Sequence, residues 1–238
     1  MGNSSVFQDA INIMGDQFQY LVVDLPGHGS TRVLGSDKDY DLINTAQALT
    51  QLLEKLQIKK CFLCGYSMGG RLALYMALNF PNLFDKVILE SASPGLKTEP
   101  EKYQRQQRDQ QLAKKLIEED FHLFLSHWYD QPLFNSLKQN ERFPILFQQR
   151  LNNNPVELAK SLQQMGVGSQ PSLWHNLSAL VKPTLLLVGA LDKKFESINQ
   201  EINSLCPNSH LKVISNCGHN IHWENTSAFA AETQNFLY

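Results

Sequence analysis

The sequence predicts an α/β fold: a mostly parallel sheet, helices on both of its faces, and a helical cap inserted between two strands. Three observations carry this. Apolar strand-like runs alternate with amphipathic helical patterns through the first hundred residues, the alternation resumes after about residue 169, and the stretch between has helical texture with no strand pattern. Such alternation points to βαβ units, whose crossover helices cover a parallel sheet on both sides. The expected division is a core of residues 1–95 and 169–238 and a cap of residues 96–168.

Each element has its own signal. Gln19 to Leu25 is an apolar run ending in Pro26-Gly27-His28-Gly29, the pattern of a buried parallel strand and its turn. Leu42, Ala46, Leu49, Leu53 and Leu56 recur at steps of four and three, an amphipathic helix. Lys60 to Gly65 reads as the second strand, Arg71 to Asn79 as a helix rich in Ala and Leu, and Lys86 to Glu90 as the third strand. Late in the chain, Pro183 to Gly189 and His210 to Ile214 read as strands and Thr226 to Leu237 as a closing helix. In the cap, Gln and Arg crowd Tyr103 to Gln111, aromatics cluster in Phe121 to Tyr129, and Asn152-Asn153-Asn154-Pro155 separates two helical stretches.

Composition narrows the function classes. With 238 residues and 42% hydrophobic content the chain can build one large core or a core carrying an insertion. The net charge is −2, which gives no electrostatic footprint for nucleic acid or an anionic membrane. No apolar run reaches the ~18 residues of a membrane span, and the first residues lack the basic and apolar regions of a signal peptide. Gly2 in Met1-Gly2-Asn3-Ser4-Ser5 raises myristoylation, a reading that requires Met1 to be the native start. Four cysteines do not make a disulfide scaffold in a chain this long. Cys61 and Cys64 form a C-x-x-C inside a strand pattern, where an offset of three places them on opposite faces; ordinary core packing in a reducing cytoplasm is the expectation.

Chemistry concentrates at Gly65-Tyr66-Ser67-Met68-Gly69, a G-x-S-x-G between a strand and a helix. In that setting the serine sits on a tight turn above the carboxyl edge of the sheet, the arrangement of the α/β-hydrolase fold, and the helix N-terminus favours negative charge nearby. The flanking glycines are expected to avoid collisions between strand and helix. Serine needs an imidazole oriented by a carboxylate, and in this fold the chain order is serine, acid, histidine. Asp192 follows the strand Pro183–Gly189, and His219 lies just past the last strand in Asn216-Cys217-Gly218-His219, with His222 as competing base. The expected triad is Ser67, Asp192 and His219, with the Met68 N–H as an oxyanion donor. Arg71, one helical turn after Ser67, is a candidate cation beside the hydroxyl, against a structural salt bridge to the cap. Arg105, Arg108 and Arg150 in the cap extend this to a pocket for a polyanionic small molecule, and Trp128, Phe134 and Trp174 are candidate walls, with plain packing as the alternative role.

Val23-Asp24-Leu25-Pro26-Gly27-His28-Gly29, Gly65 to Arg71, Ser91-Ala92-Ser93-Pro94-Gly95-Leu96, Arg105 to Asp109, Gln170-Pro171-Ser172-Leu173-Trp174 and Gly218-His219-Asn220 together resemble the 2-succinyl-6-hydroxy-2,4-cyclohexadiene-1-carboxylate synthases of menaquinone and phylloquinone biosynthesis. The resemblance spans essentially the whole chain. It implies a carbon–oxygen lyase that uses the triad for elimination: pyruvate leaves an enolpyruvyl-bearing cyclohexene, with neither metal nor organic cofactor. It further implies that a tricarboxylate substrate is held by Arg71, Arg150 and one of Arg105 or Arg108, with Arg108 preferred, and that Tyr66 contributes to binding. Family members carry earlier strands and a His-Gly loop ahead of the segment matching Ser4 to Met14, so the expectation is that Met1 is internal and about 20 to 40 residues precede it. A carboxylester or thioester hydrolase with the same triad, and an inactive remnant, are the competing readings.

Overall fold

The computed structural model describes residues 1–238. A short 3₁₀ turn at Ser4–Phe7 runs into α1 (Gln8–Met14), followed by α2 (Leu42–Lys55), β1 (Cys61–Tyr66), α3 (Met68–Asn79) and β2 (Phe84–Glu90). Five helices come before the next strand: α4 (Glu99–Glu118), α5 (Phe121–Tyr129), α6 (Asn135–Gln139), α7 (Phe143–Leu151) and α8 (Pro155–Met165). The chain returns through β3 (Thr184–Gly189), α9 (Lys193–Leu205), β4 (Ser209–Ile214), α10 (Ile221–Glu224) and α11 (Thr226–Leu237).

The four strands are parallel in the order β1-β2-β3-β4. Side chains alternate across a strand, so each strand feeds both faces. Val87, Leu89 and Leu186 pack with Leu42, Ala46 and Leu53 of α2, Leu72 and Met76 of α3, and Ile202 of α9. Ile88, Leu185, Leu187 and Ile214 pack on the other side with Ala10 of α1, Ile221 of α10 and Phe229 of α11. Covered on both faces, β3 is buried at every position, which is why Thr-Leu-Leu-Leu-Val-Gly shows no polar alternation.

Three local expectations change. Gln19 to Leu25 forms no strand: it has no ladder partner, and Leu21, Val22 and Val23 are exposed. The physical reason is that β1 pairs only with β2, so its other edge lends no backbone groups to this run. For the same reason Cys64 lies exposed with Phe62, while Cys61 packs against the core. Leu56 falls just beyond α2 and is exposed. Helix α9 was not anticipated from the sequence, although Phe195, Ile198, Ile202 and Leu205 carry a helical spacing behind Asp192.

The helices between β2 and β3 start on recognisable signals. Thr98 and Glu101 form a reciprocal capping box at α4. Asn154 caps α8 by accepting from the N–H groups of Val156 and Glu157, with Pro155 opening the helix. They meet the rest of the fold in two places: Tyr129, Phe134, Leu137 and Leu146 pack with Val6 and Trp223, and Met165 of α8 packs into the core with Val87, Leu89 and Leu186. No helix is long and apolar enough to cross a membrane.

Candidate active site

Ser67 sits at the carboxyl end of β1, immediately before α3. Its backbone has φ 49° and ψ −106°, a conformation that L-residues avoid. The turn is held because the Ser67 N–H donates to the Glu90 carbonyl at 2.8 Å and the Ser67 carbonyl accepts from the Arg71 N–H at 3.0 Å. Gly65 is required here, since a Cβ would run into the Gly69 carbonyl, and Gly70 is required because its Cβ would meet Ala92. Gly69 departs from the sequence expectation: nothing lies within 4 Å of a Cβ built there. Met68 opens α3, so its N–H is one of the first-turn donors with no acceptor inside the helix.

The two other triad candidates arrive from the far end of the chain. Asp192 caps α9, with Oδ1 accepting from the Phe195 N–H at 3.2 Å, and it is buried instead of solvated. Its Oδ2 lies 2.7 Å from His219 Nδ1, and His219 Nε2 lies 2.9 Å from Ser67 Oγ. The carboxylate accepts from Nδ1–H, which leaves Nε2 to accept from the serine hydroxyl. The histidine loop is fixed by Glu224, whose carboxylate accepts from the N–H groups of Gly218 at 2.9 Å and Asn220 at 3.2 Å. Phe195, Tyr66 and Phe134 surround the ring, at centroid distances of 4.5, 5.4 and 6.2 Å. His222 does not compete for Ser67: its Nδ1 is 2.7 Å from the Glu90 carboxylate.

The arginines divide. Arg71 donates through Nη1 to Gln170 Oε1, and burial, with Arg105 adding and Asp109 opposing, brings its guanidinium down to about 10. Arg105 pairs with buried Asp109 at 2.7 Å, so Asp109 couples it electrostatically to Arg71. Arg108, which the sequence preferred, is exposed, reaches only Gln131 at 3.4 Å, and opens with Trp128 onto a separate outer cavity of about 190 Å³. The buried carboxylate at i+4 draws Arg105 to the α4–α8 seam, while Arg108 emerges on the flank toward α5. Arg150 is buried with 3% exposure; its Nε lies 3.4 Å from the Tyr129 hydroxyl and its Nη1 has no partner. An unpaired buried guanidinium is costly, and here it acts on the neighbouring His28, whose ring burial first, with Arg150 adding, pushes down to about 3. Burial also raises Tyr66 well above its ordinary value, with Glu90 adding and Arg150 opposing.

Of the aromatic candidates, Phe134 reaches His219, whereas Trp128 stacks on Phe124 beside the outer cavity. Trp174 serves packing: its Nε1–H donates to the Gly95 carbonyl at 2.9 Å under the Lys97 ammonium. Sequence reasoning missed a role for Glu90, Gln170, His28 and Tyr129. Glu90 carried a signal as a lone carboxylate closing an apolar strand, and His28 and Gln170 lie within the motifs that carry the family resemblance; Tyr129 had none.

Comparison with known proteins agrees with this architecture. The family model described as alpha/beta hydrolase fold matches residues 2–226. A putative 2-succinyl-6-hydroxy-2,4-cyclohexadiene-1-carboxylate synthase from Bacillus subtilis is 38% identical over 218 residues, covering 90% of this chain and 79% of that protein. The synthase of the same name from an Enterobacter species is 35% identical over 97% of this chain and 85% of its own length. Among solved structures, MenH from S. aureus superposes with a TM-score of 0.94 at 37% identity, covering 99% of this chain and 89% of that one. The chain belongs to the alpha/beta hydrolases and, among them, to the 2-succinyl-6-hydroxy-2,4-cyclohexadiene-1-carboxylate synthase family.

Proposed function

We propose that the chain eliminates pyruvate from 2-succinyl-5-enolpyruvyl-6-hydroxy-3-cyclohexene-1-carboxylate to give 2-succinyl-6-hydroxy-2,4-cyclohexadiene-1-carboxylate, a step of menaquinone or phylloquinone biosynthesis. His219 Nε2 accepts the hydroxyl proton of Ser67, and Ser67 Oγ removes a proton from the substrate ring. The C–H electron pair at the succinyl-bearing carbon forms one new ring double bond, and the existing ring double bond shifts by one position to the carbon that carries the ether. The C–O bond to the enolpyruvyl group breaks, and the enolpyruvate that leaves takes up the proton held on His219 and ends, protonated on carbon, as pyruvate. Asp192 keeps Nδ1–H of His219 oriented and stabilises the imidazolium that forms. The first-turn N–H of Met68 faces the negative charge that develops on the substrate. No metal or organic cofactor is needed for these transfers.

The substrate is a tricarboxylate, and the cations supply its recognition. Arg150 has a free donor in a buried setting, which a carboxylate satisfies; Arg71, presented by Gln170, and Arg105, held by Asp109, are the partners for the others. Tyr66 lies beside both His219 and the Arg150 charge, and helices α4–α8 act as a cap over the core of residues 1–95 and 169–238. The observation that carries this reading is the unbroken Ser67–His219–Asp192 hydrogen-bond chain, together with a buried Arg150 guanidinium that keeps an unused donor and whose charge acts on Tyr66, a neighbour of His219.

The test compares two substrates on one variant. In Arg71→Ala, pyruvate release from the enolpyruvyl substrate, followed by NADH consumption with added lactate dehydrogenase, falls about 10²-fold or more in kcat/KM, the loss of a charge-assisted pair. Turnover of a small neutral ester stays within about twofold, since a neutral ester gains nothing from the cation. Equal loss on both substrates, or ester turnover with no pyruvate release by the wild-type chain, overturns the elimination reading in favour of a hydrolase.

A further inference from the structure

Glu90 and His222 make a second buried carboxylate–imidazole pair that the elimination does not use. Both side chains are fully buried. Glu90 Oε2 accepts from His222 Nδ1–H at 2.7 Å, and Oε1 accepts from the His222 backbone N–H at 3.1 Å. The imidazole stacks on Phe7 at 4.4 Å and meets Tyr66 edge-on at 4.8 Å, while its Nε2 has no partner. A buried carboxylate–imidazole hydrogen bond is weak evidence of stabilisation, because desolvation offsets most of its attraction. Its value lies in what it joins. The backbone carbonyl of the same Glu90 accepts the Ser67 N–H at 2.8 Å, and His222 lies three residues after His219 at the start of α10. One residue at the end of β2 therefore grips the nucleophile turn by its main chain and the histidine loop by its side chain. Tyr66 fills the space between the two imidazoles, 5.4 Å from His219 and 4.8 Å from His222.

We propose that Glu90 and His222 are a positioning pair that sets the Ser67–His219 hydrogen bond by tying the nucleophile turn to the histidine loop. The inference rests on the catalytic triad proposed above, and neither residue touches substrate. Displacements of about 1 Å in a catalytic constellation can cost about 10²-fold in rate. Loss of the pair therefore lowers the reactivity of Ser67 without altering substrate affinity.

A fluorophosphonate, whose phosphorus is attacked by Ser67 Oγ with loss of fluoride, reads serine reactivity independently of the lyase substrate. Labelling of the wild-type chain that is abolished in Ser67→Ala tests the triad itself, so failure there is distinct from failure of the positioning role. In Glu90→Gln, which keeps an acceptor for the His222 N–H but removes the charge, the labelling rate and kcat fall about 10- to 100-fold, with KM within about twofold and the melting temperature near wild type. At position 222, His222→Leu shows the same loss, and His222→Asn, whose amide N–H occupies the place of Nδ1–H, recovers a substantial part of it. Labelling and kcat at wild-type levels in folded Glu90→Gln, or no difference between His222→Leu and His222→Asn, overturns the proposal. If Glu90→Gln does not fold, the comparison at position 222 decides alone.

Discussion

Ser67 holds a backbone conformation that most residues reject, with φ 49°. Such positions store about 1 to 3 kcal/mol, tolerated where the surroundings dictate them. Replacing Ser67 by Gly removes the hydroxyl and relieves the strain together, so we expect pyruvate release to fall by at least about 10³-fold while chemical denaturation shows a gain of about 1 kcal/mol in stability. A loss of stability would mean that the Oγ hydrogen bond to His219 outweighs the strain. His28 gives a pH signature. Its folded-state value of about 3 lies below the ordinary 6.5, so the unfolded chain takes up a proton that the folded chain refuses. Its contribution to stability is complete above about 6.5 and is lost as the pH falls from there toward 3. Because Nδ1–H of His28 donates to the Pro26 carbonyl at 3.1 Å, Asn can keep the donor without titrating. The difference in melting temperature between pH 7.5 and pH 5 should therefore be smaller in His28→Asn than in wild type; an unchanged difference would assign the acid sensitivity to other groups.

At the scale of elements, the crossing of β1 with α3 determines which glycines matter. A Cβ at Gly65 collides with the backbone of Gly69, which cannot move without unwinding the first turn of α3. Gly65→Ala should cost several kcal/mol, about the size of an overpacked core substitution, and is expected to leave little folded protein. Gly69→Ala meets nothing and replaces a glycine in a helix, so it should raise stability by about 0.5 to 1 kcal/mol. Soluble yield and circular dichroism check Gly65→Ala and urea denaturation checks Gly69→Ala; loss of folded protein in both would show that the G-x-S-x-G glycines share one steric role. The central strands were readable because burial on both faces leaves a bare apolar run, as in Thr184–Gly189. Gln19 to Leu25 has the same texture but no neighbouring strand, and a side-chain pattern cannot report whether backbone partners exist.

For the molecule as a whole, the net charge of −2 coexists with buried or half-buried cations: Arg150 is buried, and Arg71 feels the charge of Arg105. In the proposed function these arginines recognise a tricarboxylate by charge, and the part of that attraction that acts through solvent is screened by salt. KM for the enolpyruvyl substrate should rise several-fold between low salt and about 0.5 M NaCl with kcat nearly constant. The KM of a neutral ester should not change over the same range; a salt-independent KM for both would place the carboxylates away from these arginines.

The sequence by itself determined the α/β class, four of the five strands it offered, and the identity of Ser67, Asp192 and His219 as the residues to bring together. Each of these follows from local pattern: apolar runs, a serine between strand and helix, and an acid and a histidine each following a strand. The tertiary structure decided everything that depends on direction. It turned His219 toward Ser67 and His222 toward Glu90, although both sit on one short loop. It drew Arg105 inward through Asp109 and left Arg108 outside, three residues apart on one helix. It buried Arg150 with a free donor, and it joined Glu90 to the histidine loop across 132 residues of chain. Side-chain direction is set by packing partners distant in sequence, and no local spacing encodes which of two neighbouring histidines or arginines will find them.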